Sequence, residues 1–289
     1  MERLDLSYVD YNSLKRFDLP ENINHNESSL FYSPFNRNEI IKSYYNVYLD
    51  ANANEKIKEI NNYITFIDDN NITELLKPTG LLYVENKFKG IILPRIDGQN
   101  ASVYLNGKNT PIKIKIEILK QIGNILLKIR NTPPKYNAAF ADVHADNFMV
   151  TNLEKNNFKT IGIDAESMKV LNSPGLTNFY LFNNDNIANL DKYDANVFGI
   201  VSPNSETDLY CFIMMILELI SNNKSIYQLN INDFYKYLDY LDSLGINPML
   251  LASFASIYKK EDNINPLPYL NTLNNMPSNT LYKDFKKHK

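Results

Sequence analysis

Ala139-Phe140-Ala141-Asp142-Val143-His144-Ala145-Asp146-Asn147-Phe148-Met149-Val150, then a polar turn, then Phe158-Lys159-Thr160-Ile161-Gly162-Ile163-Asp164, is the stretch on which the reading of this chain turns. Asp142 and Asn147 flank a short loop, and a second aspartate, Asp164, closes the apolar run that follows. Phe148 to Val150 and Phe158 to Ile163 are predicted to pair as a β-hairpin, which brings Asn147 and Asp164 toward one edge. One loop and one hairpin thus set three oxygen-bearing side chains. That donor set suits phosphoryl transfer, which is mostly positioning and charge neutralisation. One carboxylate accepts or orients a hydroxyl proton, while an amide and a second carboxylate hold Mg²⁺ on the phosphates.

Upstream of this stretch, Ser29 to Ser33 and Glu39 to Tyr45 read as strands joined by the turn Pro34 to Asn38. Asn52 to Ile67 carries Ile57, Ile60, Ile64 and Ile67 at helical spacing. Leu81 to Glu85 and Gly90 to Ile96 form a second strand pair around Asn86-Lys87. After Gly98 the character becomes helical. Pro111 to Arg130 is a long amphipathic run that stops before Pro133-Pro134. Glu206 to Ile220 is a strongly apolar helix with Ser205 as its cap, and Ile231 to Leu244 and Pro248 to Lys260 are amphipathic helices. The expected division is a small strand-rich unit at 1–97, a mostly helical unit at 98–265, and a loop-like tail at 266–289 with the basic end Lys286-Lys287-His288-Lys289.

At 289 residues and 44% hydrophobic content the chain is long enough for a large core, in one two-lobed domain or two small ones. A net charge of -3 argues against a general nucleic-acid binder. The single Cys211 has no internal disulfide partner and reads as a small buried side chain, which suits a reducing compartment. Residues 1–20 carry charges and lack an apolar core of signal-peptide length, and no run of about 18 uncharged apolar residues occurs. The expectation is a soluble, cytoplasmic protein. One Cys and three His exclude a thiolate zinc cluster and a His-rich site, so magnesium is the metal the sequence favours.

A strand-rich lobe with one helix, then a helical lobe carrying D-x-x-x-x-N and a later Asp, resembles the protein kinase-like superfamily over roughly residues 20–260. The resemblance implies an α+β, bilobal fold with ATP and Mg²⁺ as cofactors. On it, Asp142 matches the catalytic Asp, Asn147 the metal-binding Asn of the same loop, and Asp164 the metal-binding Asp of the D-F-G element. Lys42 looks like the strand lysine that holds the α and β phosphates, and Glu59 like its ion-pair partner, with Glu55 one turn earlier on the same face. The run Ile92-Leu93-Pro94-Arg95-Ile96-Asp97-Gly98 is similar to the hinge between lobes. There Leu93 would stand at the adenine pocket, with the Pro94 carbonyl and the Ile96 N–H offered to the adenine edge; Pro94 has no N–H to give. Glu206-Thr207-Asp208-Leu209-Tyr210-Cys211-Phe212 is similar to the start of the central large-lobe helix, where an Asp matching Asp208 holds the catalytic-loop backbone.

The pattern also departs from that family. No glycine precedes Gly80, so the glycine-rich phosphate loop lacks its usual form, and Asn24 to Ser29 is its positional candidate. Phe140-Ala141-Asp142 replaces His-Arg-Asp, Asp164-Ala165-Glu166 replaces Asp-Phe-Gly, and no Ala-Pro-Glu triplet lies between Ala165 and Thr207. His144 occupies the place of a lysine in Ser/Thr-type kinases and looks more like aminoglycoside phosphotransferases and the atypical kinases of coenzyme-Q biosynthesis. As an imidazolium it would balance γ-phosphate charge; as a neutral ring it would donate one hydrogen bond.

The expected activity is transfer of the ATP γ-phosphate to a hydroxyl of a protein or small molecule, with Asp142 and His144 as catalytic residues. Two alternatives stay open: a nucleotide-binding pseudokinase or scaffold, motivated by the missing glycines and altered triplets, and AMP transfer on the same fold. Asp233, Asp239 and Asp242 would suit a cationic acceptor, but solvated helix acids explain them equally, so no acceptor residues are assigned.

Overall fold

Alternation of apolar and polar residues builds one mixed sheet from β1 (Glu2–Leu6), β2 (Ser28–Tyr32), β3 (Glu39–Tyr44), β4 (Gly80–Val84) and β5 (Lys87–Pro94), in the order β1-β4-β5-β3-β2. The structure, a computed structural model, describes residues 1–17, 28–45, 53–153, 157–171, 173, 193, 202–221, 226 and 229–275. Of the segments singled out above, 24–27 of the phosphate-loop candidate, most of 165–207 and the basic end at 286–289 lie outside the described residues. The class is α+β, and the chain divides into two compact units, Met1–Asp97 and Gly98–Lys289.

In the first unit, β1 runs parallel to β4 and the remaining pairings are antiparallel. One face of the sheet buries Leu6, Phe31, Ile41 and Leu82 under Tyr11 and Leu14; Tyr11 follows from the short helix α1 (Tyr8–Asn12), whose cap is Ser7. The other face buries Tyr44, Phe88, Ile91 and Leu93 against Ile60 of helix α2 (Ala53–Asn70). The β1 strand was not foreseen, because its charged side chains mask an alternating pattern that only the partner strand completes. The β4–β5 connection is also one residue earlier than expected. Glu85 and Asn86, at φ 49° and 64°, form the two-residue turn, the doubly left-handed conformation that matches strand twist. At Gly90 the strands come so close that a Cβ would stand 2.0 Å from the Lys42 carbonyl oxygen.

In the second unit, β6 (Gly98–Asn100), β7 (Phe148–Thr151) and β8 (Lys159–Gly162) form a three-stranded antiparallel sheet in that order. The helices are α3 (Ala101–Asn106), α4 (Ile112–Arg130), α5 (Ser205–Ser221), α6 (Ile231–Ser243) and α7 (Pro248–Ser256). The core of this unit forms where Ile116, Leu119, Ile122 and Leu126 of α4 and Phe212, Ile213 and Ile216 of α5 are buried. Ser205 lies inside α5 instead of capping it. Asn204 is the cap, its Oδ1 accepting the N–H groups of Glu206 and Thr207, both at 2.9 Å. The segment expected to be a loose tail is ordered through a 3-10 stretch at Leu267–Asn275, because Leu270 and Leu273 are buried there. Cys211 is half-buried on α5. Among the described residues, no helix is long and apolar enough to cross a membrane.

Candidate functional site

The loop between Ala139 and Asn147 is fixed at both ends before any functional side chain is considered. Ala139 and Lys169 exchange both backbone hydrogen bonds at 3.0 Å, and the Phe140 ring stacks on Phe148 of β7 at 4.9 Å. Asp208, on the first turn of α5, is buried and reaches into the loop: its Oδ2 accepts the N–H of Phe140 at 2.6 Å and its Oδ1 the N–H of Ala141 at 2.9 Å. Burial pushes the Asp208 carboxyl up to about 7, and the two N–H donors act the other way by stabilising its charge.

This grip holds Ala141 at φ 74°, a left-handed conformation that costs an L-residue roughly 1–2 kcal/mol. Asp164, at the far end of the hairpin, is also left-handed, at φ 60° and ψ 18°. Strained backbone of this kind persists where the surroundings over-determine it, and it clusters at functional sites. The two residues bracket the loop and hairpin that carry Asp142, His144 and Asn147.

Asn147 is buried at the end of a short 3-10 turn, Ala145–Asn147. Its Nδ2 donates to the Asp142 carbonyl at 2.9 Å and to Asp142 Oδ2 at 3.0 Å. Both amide protons are therefore turned toward Asp142, and among the described residues nothing donates to Asn147 Oδ1. The hairpin ladder continues beyond β8, since Ile163 donates its N–H to the Asn147 carbonyl at 2.8 Å. Asn147 and Asp164 thus leave the same end of the hairpin.

Among the described residues no cluster of three His, Cys, Asp or Glu side chains forms a metal cage. A pair made of one amide oxygen and one carboxylate fits a hard cation that keeps several waters and takes further oxygens from phosphates, which is how Mg²⁺ is usually held.

His144 stands between the carboxylates: Nε2 is 3.3 Å from Asp142 Oδ2 and Nδ1 is 4.0 Å from Asp146 Oδ2. Burial works against its protonation. The hydrogen bond to Asp142 and the charges of Asp142, Asp146 and Asp164 outweigh burial and raise its pKa above the ordinary histidine value. Around this group run two contacts that the sequence did not suggest. Asn100 donates from Nδ2 to the Asp146 carbonyl at 2.9 Å, and the Ser102 hydroxyl bonds to Asp146 Oδ1.

In the first unit, Lys42 is paired across the sheet with Ile91, so it lies on the face that α2 covers, with its Nζ 5.8 Å from the Tyr44 ring centre. Glu59 of α2 does not meet Lys42; it pairs at 3.4 Å with Lys56, which lies one turn earlier on its own helix. Glu55 is exposed. Leu93 is buried in the cluster with Tyr44 and Ile60, Pro94 ends β5, and Ile96 follows half-buried outside the strand. No protein-family profile matches the chain, and comparison with curated proteins returns no match.

Proposed function

We propose that this chain is an ATP- and magnesium-dependent phosphotransferase with a bilobal protein kinase-like fold, acting on a hydroxyl of a protein or small molecule. The observation that carries the reading is the left-handed Ala141 held by buried Asp208, directly before an Asp142 whose carboxylate is oriented by Asn147. A polar turn with no chemistry to perform has no need of a strained residue, held by a buried carboxylate, directly before an aspartate that an amide orients.

In this reading Asp142 orients the attacking hydroxyl and accepts its proton, and His144 places positive charge beside it. Asn147 Oδ1 and the Asp164 carboxylate hold Mg²⁺, which neutralises phosphate charge when bound. Lys42 binds the α and β phosphates, and its pairing with Glu59 requires Glu59 to leave Lys56. Leu93, the Pro94 carbonyl and the Ile96 N–H form the adenine seat. ATP and an unassigned acceptor are the partners, and the cytoplasm is the compartment.

The test is magnesium-dependent ATP consumption by the purified protein, compared with Asp142→Ala. Turnover should vanish in the variant while nucleotide binding stays nearly intact. Full activity in the variant would defeat the assignment. Nucleotide binding by a wild type without turnover would favour the scaffold reading, and intact-mass analysis of a modified product separates phosphate from AMP transfer.

A further inference from the structure

The first residues of the second unit are bonded to the turn that carries Asn147. β6 pairs with β7 in the register Gly98 to Thr151, Gln99 to Val150 and Asn100 to Met149, so this first strand of the second unit lies alongside the strand that starts directly after Asn147. Asn100 then occupies the cap position of α3 but makes no side-chain cap bond to that helix. An asparagine in this place ordinarily satisfies the N–H groups of the first turn. Here its amide is turned away from the helix and donates to the Asp146 carbonyl at 2.9 Å. Ser102, on the first turn of α3, adds a hydroxyl contact to Asp146 Oδ1.

Asp146 is thus held at its main chain by one residue and at its side chain by another, and it immediately precedes Asn147 in the same 3-10 turn. Rotation of that turn would move the Asn147 amide away from Asp142 and swing Oδ1 with it. From this juxtaposition we infer that Asn100 and Ser102 are positioning residues for the metal-binding amide of Asn147. They act through Asp146 and touch neither metal nor substrate. The inference rests on the phosphotransferase reading. Partners behind a metal ligand commonly set its affinity, and their loss costs about tenfold or more in metal binding.

Mn²⁺, which occupies magnesium sites and can be followed by electron paramagnetic resonance, is the probe. The full chain is titrated with Mn²⁺ in the presence of ATP, reading bound metal and ATP turnover together, for wild type, Asn100→Ala, Ser102→Ala and Ser102→Thr. Asn100→Ala and Ser102→Ala should each raise half-saturating Mn²⁺ about tenfold. The KM for ATP at saturating metal should not move, and Ser102→Thr, which keeps the hydroxyl, should restore the wild-type metal requirement. Amide hydrogen exchange at Asn147 and Ile163 should quicken in Asn100→Ala while the α4 core stays protected, which separates a local shift from unfolding. Unchanged half-saturation in both alanine variants, with an active wild type, overturns the inference alone. A wild type that binds no Mn²⁺ with ATP overturns the phosphotransferase reading itself.

Discussion

Asp208 accepts the main-chain N–H of Ala141 at 2.9 Å although 67 positions of sequence separate them. The same carboxylate accepts from Phe140, so one buried side chain satisfies two consecutive N–H groups that have left regular structure. Asp208→Ala would orphan both donors in a dry site. Each such loss costs about 1–3 kcal/mol, so the variant should be destabilised by about 2–6 kcal/mol. Urea unfolding measures this, and a loss below about 1 kcal/mol would mean that the loop finds other partners.

Asp208 should also give the protein a pH dependence. Its carboxyl is pushed up to about 7 in the fold, against 3.8 in an unfolded chain. Between those values the folded protein holds one proton more than the unfolded one, so this group's contribution makes stability fall as pH rises across that window. The slope reaches at most about 1.4 kcal/mol per pH unit. Unfolding midpoints from pH 4.5 to 8 should show the decline in wild type and lack that component in Asp208→Asn. Identical slopes would contradict it.

His144 should titrate above the ordinary histidine range, because Asp142, Asp146 and Asp164 favour its charged form against burial. A folded-state pKa raised above the unfolded one stabilises the fold fully at acid pH, and that stabilisation is lost as pH rises through the folded value. Ring-proton NMR should place His144 above the ordinary histidine value of about 6.5, and Asp142→Asn should lower it. A His144 resonance that titrates below the ordinary histidine value would refute the arrangement.

Gly123 on α4 is a packing point. A Cβ there would stand 2.7 Å from Phe212 Cζ and 2.8 Å from Leu267 Cδ1. Gly123→Ala should therefore lower stability by about 1–3 kcal/mol, despite alanine's better helix propensity, because the Phe212 ring is held in a filled core, although half-buried Leu267 has room to shift. Thermal unfolding decides it, and a gain in melting temperature would show that the ring can yield.

Much of the second unit was legible because its signals are local. The 3.6-residue period from Ile114 to Ile129 and the short β-hairpin around the polar turn need no knowledge of distant partners, and the structure has α4 at Ile112–Arg130 and strands β7 and β8 where they were expected. Contacts that depend on tertiary placement were not legible. The parallel pairing of β1 with β4, the burial of Leu270 and Leu273, the preference of Glu59 for Lys56, and the bonds from Asn100 and Ser102 to Asp146 each join side chains or strands whose meeting no spacing rule encodes. An asparagine directly before a helix ordinarily caps it, and the amide of Asn100 serves another loop instead.

The lone hydrogen at residue 90 has a reach beyond its own strand. Because β3 packs against that bare backbone, the spacing between the strand that carries Lys42 and its neighbour depends on a residue that carries no functional group. A methyl group at that spot would act as a wedge under the lysine's strand. Under the phosphotransferase proposal, a genetic screen for lost activity should therefore return changes at position 90 beside those at Lys42.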